Sequence, residues 1–404
     1  MGETQSEVLV VSQNYPPDQG GNASRISDTC THLANKGWRV TVLAPPPAFP
    51  HGEFDRNWTR KETHTEGNVT VHRLWAWQPT DTDPSFVSRL AYYLIFPLHA
   101  LVWLLFNARD YDAMITSSPP IFTGTVGIVW RLLGRKPWVV DVRDLWIDAS
   151  IGLGFLAEGG LLERASRAYE GFMLRLADRV TVTTTVLGER LSDQYGLDPG
   201  KIVHLPNGVD TGVYEPTDSD ADPEIVYTGT VGYAQALEPC VRAMSEIEHP
   251  DATLKIVGDG DIRTDLEQIV DEENLHDRVI FTGLVPRDEI PGILDEAAVG
   301  IAPLEQDETF EYAVPTKAYE YMSAELPVVA TGVGEIESLI DDSGGGVFVD
   351  TDPEKLAAAF DSLLADAEKR ATFGEAGRTH VVEHYDREVV AQELNDVLRD
   401  VTTP

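Results

Sequence analysis

Residues 8–43 read VLVVSQNYPPDQGGNASRISDTCTHLANKGWRVTVL, and this stretch decides the fold. Its apolar run Val8–Ser12 predicts a buried strand, followed by a loop rich in Pro and Gly. A helix is predicted over Arg25–Lys36, with Gly37 as its stop, and a second strand over Arg39–Leu43. Strand, helix and strand within about 35 residues form the βαβ unit of a parallel sheet.

The same alternation continues along the chain in two series. In the first series, further strands are predicted at Val69–Arg73, Ala113–Thr116, Pro137–Asp141 and Val180–Thr183. Residues 206–223, PNGVDTGVYEPTDSDADP, are rich in Asp, Pro and Gly and predict a linker. In the second series, strands are predicted at Glu224–Tyr227, Thr253–Val257, Val279–Thr282, Val299–Ala302 and Pro327–Ala330.

The length of 404 residues favours two α/β domains. The predicted boundaries are 1–205 for the first domain, 206–223 for the linker and 224–385 for the second domain. A last helix near Arg387–Val401 can belong to either domain. Our hypothesis is that the segment 386–404 packs back on the first domain.

The charge is strongly acidic, with 67 Asp and Glu against 31 Lys and Arg and a net charge of −36. The acidic residues are spread along the chain, which is typical of a surface adapted to a cytoplasm of high salt, although an acidic mesophilic protein remains the alternative. Nucleic-acid binding is disfavoured because no basic stripe is visible. The N-terminal segment lacks a basic region before an apolar run, so we expect a cytoplasmic protein without a signal peptide.

The stretch Phe86–Phe106, FVSRLAYYLIFPLHALVWLLF, is long enough to suggest a membrane-spanning helix. Arg89, Pro97 and His99 interrupt it, so we favour a partly exposed helix whose apolar face enters the membrane interface. A buried core helix and a true span are the alternatives. The favoured hypothesis predicts a peripheral protein on the inner face of the membrane, with Leu101, Trp103 and Leu104 touching lipid.

Residues 310–331 read FEYAVPTKAYEYMSAELPVVAT and carry the clearest chemical signal. Pro315 and Thr316 predict a helix start, with Thr316 as a possible N-cap. Lys317 then lies in the first turn, where a cation suits a departing diphosphate. Glu320 lies on the same side of the helix, where its carboxylate can accept hydrogen bonds from the hydroxyls of a ribose. An ordinary surface Lys–Glu pair is the alternative.

The loop after the first predicted strand contains two adjacent glycines, Gly20 and Gly21, before the first helix. Glycines let backbone amides approach a bound group closely, and a helix N-terminus attracts anions. This pattern indicates a contact to a donor diphosphate or sugar, and a plain strand-to-helix loop is the alternative.

The sequence resembles the retaining glycosyltransferases with the GT-B fold, family four in the usual classification. The branch that assembles surface polysaccharides and glycans, often from UDP-N-acetylated sugars, looks the most similar. Seven motifs carry the resemblance, in the family's order: YPPDQGGNASR with HLANKGWRVTVLA, SSPP with VVDVRDLW, LPNGVD, TGTVG-YAQALE, IVGDGDIR, FTGLVPRDEIP and VPTKAYEYMSAELPVVAT. The resemblance implies two Rossmann-like domains whose parallel sheets face each other across a cleft.

The resemblance also implies roles for individual residues. In the family, the glutamate of the last motif binds the donor ribose and the preceding lysine lies by the diphosphate, which places these roles on Glu320 and Lys317. The glycine pair of the first loop, Gly20 and Gly21, approaches the donor phosphate. The resemblance also places Thr230 and Gly232 at the pyrophosphate pocket. It gives Gly258, Asp259 and Gly260 the loop near the uracil or ribose, and Arg287 a position next to the nucleobase.

Three departures from the family pattern bear on the site. Where the family carries a glutamate that contacts the sugar, this chain has Tyr312, with Glu311 beside it. The stretch TGTVGYAQALE lacks the Arg and Lys that reach the diphosphate in many members. A histidine after a first-domain strand is replaced by Arg143, followed by Asp144, and this pair is our candidate for organising the sugar or the acceptor. A salt bridge at a strand end is the alternative.

We therefore expect a nucleotide-sugar donor, most simply a UDP-linked N-acetylhexosamine, and a glycan or lipid-linked acceptor, with retention at the anomeric carbon. Lys317 stabilises the charge on the leaving diphosphate in this interpretation. No metal or other cofactor is expected, because Asp-x-Asp triplets such as Asp218/Asp220 and Asp259/Asp261 arise by chance in so acidic a chain. A sugar-nucleotide 2-epimerase and a non-catalytic sugar-nucleotide-binding scaffold are the alternatives.

Overall fold

A computed structural model describes residues 5–19, 21–152, 154–214, 216 and 222–403. The chain divides into two compact units: unit 1 contains Met1–Pro206 and Ala391–Pro404, and unit 2 contains Asn207–Val390. Most of the segment predicted as a linker, from Asn207 onward, therefore belongs to unit 2. The C-terminal residues from Ala391 group with unit 1.

Unit 1 contains an eight-stranded sheet with the strand order β3-β4-β2-β1-β5-β6-β7-β8. All neighbouring strands are parallel except β3, which pairs antiparallel with β4 at the edge. The strands are β1 Glu7–Val11, β2 Arg39–Ala44, β3 Lys61–Glu66, β4 Val69–Leu74, β5 Ala113–Ser118, β6 Trp138–Val142, β7 Arg179–Val182 and β8 Ile202–His204. Strand β6 is buried throughout and β1 is buried from Val8 onward, as expected for a parallel sheet covered by helices on both faces.

The helices of unit 1 follow the strands in the βαβ alternation that the sequence predicts. They are α1 Gly21–Asn35, α2 Phe86–Asn107, α3 Gly124–Gly134, α4 Trp146–Gly152, α5 Leu161–Leu176 and α6 Thr185–Tyr195. Local chemistry sets their ends: α6 begins after Thr184, whose side chain accepts a hydrogen bond from the Leu187 amide, and it ends at left-handed Gly196.

Unit 2 contains a six-stranded, fully parallel sheet with the order β11-β10-β9-β12-β13-β14. Its strands are β9 Glu224–Thr228, β10 Thr253–Val257, β11 Val279–Gly283, β12 Val299–Ala302, β13 Val328–Ala330 and β14 Gly346–Phe348. The remaining helices are α7 Leu237–Glu246, α8 Arg263–Glu273, α9 Ile290–Glu296, α10 Thr316–Ser323, α11 Glu335–Ser343, α12 Pro353–Leu364, α13 Ala367–His384 and α14 Arg387–Thr402. Of these, α14 extends from unit 2 into the part of the chain that groups with unit 1.

Each predicted strand is confirmed, with boundaries that differ by at most two residues. The sequence interpretation missed β3, β8 and β14. β3 is the exposed polar segment KETHTE, while β8 and β14 are only three residues long, so none of them shows an apolar run.

Both sheets reverse their strand order beside the first strand of the unit. In unit 1 the reversal lies between β1 and β5, and in unit 2 it lies between β9 and β12. In open α/β sheets, ligands bind outside the carboxyl ends of the strands at this reversal point. The topology therefore predicts one binding cavity at the β1/β5 edge and another at the β9/β12 edge.

Helix α2 is the helix expected to be partly exposed, and the structure confirms its partial exposure. By length and composition it could cross a membrane, and 28% of its most apolar 18-residue segment is buried. The lipid-facing residues chosen from the sequence are wrong at Leu104, which is 3% exposed and packs inward. Leu101 and Trp103 are half-buried. Because almost every face of the helix is apolar, its composition could not show which face points outward.

Candidate active site

A cavity of about 370 Å³ opens at the β9/β12 reversal point of unit 2. It is lined by Tyr214, Thr228, Gly229, Thr230, Gln235, Arg287, Ile290, Pro315, Thr316, Lys317 and Glu320. Four residues assigned to the donor therefore share one cavity: Thr230, Arg287, Lys317 and Glu320. The cavity belongs entirely to unit 2.

Lys317 lies in the first turn of α10, and the structure confirms that this helix starts at Thr316. The expected N-cap is wrong: Pro315 is the capping residue and makes no side-chain cap hydrogen bond. Thr316 is instead the first helical residue. Pro315 has a ψ of 126°, outside the helical region, so Thr316 is the first residue with helical geometry.

The Lys317 amine is buried and held by two neighbours. Its Nζ atom lies 3.6 Å from the centroid of the Tyr227 ring and donates a hydrogen bond to Oε1 of Gln235 at 3.2 Å. Burial lowers the pKa of Lys317 to about 7, with the negative charge of Glu320 acting in the opposite direction. A bound anion would offset the desolvation of the ammonium, so the site favours a ligand that brings negative charge.

Glu320 lines the same cavity and is paired with a residue that the sequence interpretation placed in the linker. The Tyr214 hydroxyl donates a hydrogen bond to the Glu320 carboxylate, and burial together with that charge raises the pKa of Tyr214. Tyr214 is 5% exposed. One carboxylate oxygen is thus oriented by a phenol, which leaves the Glu320 side chain in a fixed position to accept hydroxyl groups.

The glycines of the β9 and β10 loops allow two backbone segments to touch. A Cβ atom on Gly258, whose φ is +141°, would lie 1.8 Å from the carbonyl oxygen of Gly229, and one on Gly260 would lie 2.3 Å from that of Val231. These glycines support the loop that carries Thr230; neither lines the cavity. Gly229 also has a positive φ, and a Cβ there would lie 3.2 Å from Lys317 Nζ.

Three other predicted donor residues lie outside the lining of this cavity. Asp259 is exposed and bonds to the Gly260 amide and to Arg263, at 2.8 and 3.3 Å. Gly232 precedes the short turn that presents Gln235. Tyr312 is half-buried in the loop between β12 and α10.

A second cavity of about 350 Å³ lies at the β1/β5 reversal point of unit 1. It is lined by Asn14, Gln19, Gly21, Asn22, Ala23, Ala48, Phe49, His51, Tyr92, Tyr93, Pro119, Pro120 and Trp146. Aromatic rings next to amide side chains are the groups that bind sugars, through apolar ring faces and hydrogen bonds. Of the predicted residues, Gly21 lies here, at the start of α1. Gly20 lies outside the described residues.

Asp18 fixes the rim of this cavity. Its Oδ1 atom accepts hydrogen bonds from the amides of Ala48 and Phe49 at 2.7 and 2.9 Å, which ties the loop after β2 to the loop after β1. The sequence interpretation did not identify Asp18, because its partners lie about thirty residues away along the chain.

Arg143 is buried at the end of β6. Its Nε atom donates to Asp141 at 2.8 Å and its Nη1 atom donates to the Asn22 carbonyl and side chain at 3.1 Å. Among the described residues, Nη2 has no hydrogen-bond partner. Arg143 forms an ion pair with Asp141, and Asp144 lies half-buried in the turn before α4. Arg143 therefore contacts Asn22, which lines the cavity, and is not itself among the lining residues.

Two successive α/β units of this kind, each with a cavity at its reversal point, are typical of the GT-B class of fold. The family model described as Glycosyl transferase 4-like domain matches residues 20–208. The family model described as Glycosyl transferases group 1 matches residues 222–366. Together they span most of both units. The chain belongs to the family-four glycosyltransferases with the GT-B fold.

Curated relatives agree with this assignment. The chain is similar to the putative colanic acid biosynthesis glycosyl transferase WcaI of Escherichia coli, with 25% identity over 71% of this chain and 74% of the relative. An uncharacterized glycosyltransferase of Methanocaldococcus jannaschii is 29% identical over 97% of this chain and 98% of its own length.

Solved structures share the fold over the whole length. Sucrose-phosphate synthase from Thermosynechococcus elongatus has a TM-score of 0.75 at 22% identity, and the match covers 98% of this chain and 99% of that one. Anabaena HepE, solved in complex with UDP, has a TM-score of 0.70 at 16% identity, covering 98% of this chain and 100% of that one. At these identities the likeness concerns the fold alone.

Proposed function

We propose that this glycosyltransferase moves an N-acetylhexosamine from a UDP-linked donor to a glycan or lipid-linked acceptor, with retention at the anomeric carbon. One observation carries the donor assignment: Lys317 and Glu320 line a single cavity at the start of α10. The amine suits the diphosphate and the carboxylate suits the ribose hydroxyls.

In the proposed reaction, the bond from the anomeric carbon to the diphosphate oxygen breaks and a bond to the acceptor oxygen forms on the same face of the sugar. The acceptor proton passes to the leaving phosphate. Lys317 stabilises the charge that develops on that phosphate, together with the amide groups at the start of α10. Because these groups supply positive charge, we propose metal-independent transfer, which predicts that EDTA leaves the rate unchanged.

We propose that the acceptor occupies the cavity of unit 1. Phe49, His51, Tyr93 and Trp146 give it aromatic walls, and Asn22 presents an amide. The Arg143 guanidinium fixes Asn22 through two hydrogen bonds, so we propose that Arg143 positions the site, with Asp144 in the adjacent turn.

We also propose that the enzyme is cytoplasmic, works at high ionic strength, and is peripheral on the inner face of the membrane through residues 86–106. Tyr92 and Tyr93 line the unit 1 cavity, while Leu94 and Leu98 of the same helix are exposed. A lipid-linked acceptor held in the membrane interface would therefore lie beside its binding cavity.

A thermal-shift panel tests the donor assignment, because a ligand that binds the folded state raises the melting temperature. UDP-, GDP- and dTDP-sugars are compared at high salt, and the proposal predicts the largest shift with a UDP-sugar. The shift should disappear in Glu320→Gln and remain in Glu354→Gln, an exposed control on α12. A larger shift with a GDP- or dTDP-sugar would contradict the UDP assignment.

Product analysis then separates transfer from epimerisation. The enzyme is incubated with UDP-N-acetylglucosamine without any acceptor. Transfer predicts that the sugar nucleotide keeps its configuration at C2, whereas conversion to the C2 epimer would show an epimerase.

A further inference from the structure

The polar side chains of the unit 2 cavity form two groups. In the first group, the Tyr214 hydroxyl donates to Glu320, and the positive charge of Arg287 acts on the same hydroxyl. Lys317 belongs to the second group, together with Gln235. In the described part of the chain, Lys317 and Arg287 are the only cations that line the cavity. The second group therefore presents a single ammonium to a ligand.

The chemistry of that ammonium fixes the orientation of the Gln235 amide. An ammonium has three N–H donors and no acceptor, so the amide atom that it contacts must be the oxygen. Lys317 Nζ donates to Oε1 of Gln235 at 3.2 Å, and the Tyr227 hydroxyl lies 3.4 Å from the same oxygen. The Nε2 group is therefore on the other side of the amide. Among the described residues, it donates to no protein acceptor.

A tightly held turn presents Gln235 to the cavity. The turn Tyr233–Gln235 follows Gly232, whose carbonyl accepts a hydrogen bond from the Gln235 amide at 3.0 Å. The Ala234 carbonyl accepts from the Glu305 amide at 3.1 Å, which ties the turn to the loop after β12. The next residue, Ala236, has a φ of +41°, a left-handed conformation that is uncommon outside glycine. The backbone thus holds Gln235 at the cavity without a ligand.

The Lys317 ammonium keeps one of its three N–H groups for a ligand. One side of the ammonium faces the Tyr227 ring, with 3.6 Å between Nζ and the ring centroid, and another side is bonded to Gln235. The Tyr227 hydroxyl is in turn held by the Thr230 carbonyl. Each phosphoryl group carries three strong acceptor oxygens, more than the remaining N–H group can bond. A ligand of this kind needs a second donor beside Lys317.

We propose that Gln235 bridges Lys317 and the donor: its oxygen holds the ammonium, and its Nε2 group donates a hydrogen bond to the diphosphate. This inference rests on the proposed function and adds a binding residue to the same site. The amide supplies a donor without supplying charge. It therefore gives the diphosphate a second partner although residues 228–238, which form the loop after β9, contain no basic residue.

The bridge predicts a loss of affinity that depends on the phosphates of the ligand. A nucleoside without phosphates would contact the first group, Tyr214, Glu320 and Arg287, and should bind independently of Gln235. A nucleoside diphosphate should lose a hydrogen bond to a charged group when Nε2 is removed, which weakens binding by about tenfold or more.

Calorimetric titration with UDP, and with uridine as the probe that lacks phosphates, tests this inference at pH 7 and high salt. Gln235→Leu removes both polar atoms of the amide. Gln235→Glu keeps an oxygen for Lys317 and replaces the Nε2 donor by an anionic oxygen. Both variants should bind UDP at least about tenfold more weakly than the wild type and uridine within about twofold of it. Gln268→Leu and Gln268→Glu, at an exposed glutamine on α8, are the matched controls and should bind UDP like the wild type.

Two results would overturn the inference. Wild-type affinity for UDP in Gln235→Glu would show that Nε2 makes no contact with the diphosphate, even if Gln235→Leu binds UDP weakly. A similar loss of affinity for UDP and for uridine would show that Gln235 shapes the cavity instead of binding the phosphates. Unchanged uridine binding also shows that the variants are folded.

A failure of the proposed donor gives a different result. If the wild type binds GDP or dTDP in place of UDP, the UDP assignment is wrong. The same variants are then compared with that nucleoside diphosphate and its nucleoside, so the role of Gln235 is tested all the same. A wild type that binds no nucleoside diphosphate would contradict the donor assignment and the inference together.

Discussion

Replacing Lys317 with methionine removes a buried cation but keeps a long, flexible side chain. Burial lowers the pKa of Lys317 from its ordinary value of 10.5 to about 7. Between these two pH values, the unfolded chain holds a proton on this lysine that the folded chain lacks. The free energy of unfolding of the wild type therefore falls by about 1.4 kcal/mol for each pH unit of acidification.

The methionine variant has no such dependence. On going from about pH 9.5 to pH 7, the wild type should lose about 3 kcal/mol of stability relative to Lys317→Met. Below pH 7 the difference should level off, because the lysine is then protonated in both states. The sign follows from the direction of the shift: a lowered pKa of a base destabilises the folded state wherever the unfolded lysine is charged.

Urea unfolding followed by circular dichroism measures this difference. Tryptophan fluorescence is unsuitable, because all eight tryptophans lie in unit 1. Lys355→Met is the matched control: Asp350 raises the pKa of Lys355 and leaves it charged across this window, so its difference from the wild type should be flat. If the difference in unfolding free energy between Lys317→Met and the wild type is also independent of pH, the claim that burial lowers the pKa of Lys317 is refuted.

Three further substitutions have defined outcomes. Tyr214→Phe removes the hydrogen bond to Glu320 and should weaken UDP binding by about fivefold to tenfold in calorimetry. Burial raises the pKa of Glu170 to about 7, so the folded wild type holds this proton at pH 5 and loses it by pH 8. The wild type should therefore lose about 2–3 kcal/mol of stability between pH 5 and pH 8, and Glu170→Gln should not show this loss. Gly258→Ala places a methyl group against the Gly229 carbonyl and should destabilise unit 2 by about 2 kcal/mol or more, with loss of the UDP-induced thermal shift.

Each of these variants has a distinct control. Tyr233→Phe, at an exposed tyrosine, should leave UDP affinity unchanged. Tryptophan fluorescence suits Glu170→Gln, which lies in unit 1, and Glu158→Gln at an exposed position should show no such loss. Gly292→Ala, with open space around its Cβ position, should leave the shift intact. Equal effects in a variant and its control would contradict the corresponding contact.

The strand series and both α/β units were predictable from the sequence, since buried parallel strands appear as apolar runs between helices. The pairing of Lys317 with Glu320 was also predictable, because a spacing of three residues places both side chains on one side of a helix. The βαβ pattern of residues 8–43 likewise located the loop that borders the unit 1 cavity.

The rest of the site depends on contacts that sequence spacing does not show. Tyr214 lies in a stretch whose composition indicates a linker, yet its hydroxyl reaches a carboxylate on α10. Gln235 reaches Lys317 only because the β9 loop folds over α10. Arg143 and Asp144 are chosen from the sequence as candidates for organising the sugar or the acceptor, and the spacing does not show the ion pair that Arg143 forms with Asp141 of β6.

Calorimetric titration with UDP tests most directly whether unit 2 binds the donor through Lys317 and Glu320. The wild type, Lys317→Met, Glu320→Gln and the exposed control Lys355→Met are compared at pH 7 and high salt. We expect at least tenfold weaker binding in Lys317→Met and in Glu320→Gln, a loss of about 1.4 kcal/mol or more each, and unchanged binding in Lys355→Met. Wild-type affinity in both Lys317→Met and Glu320→Gln would contradict this assignment.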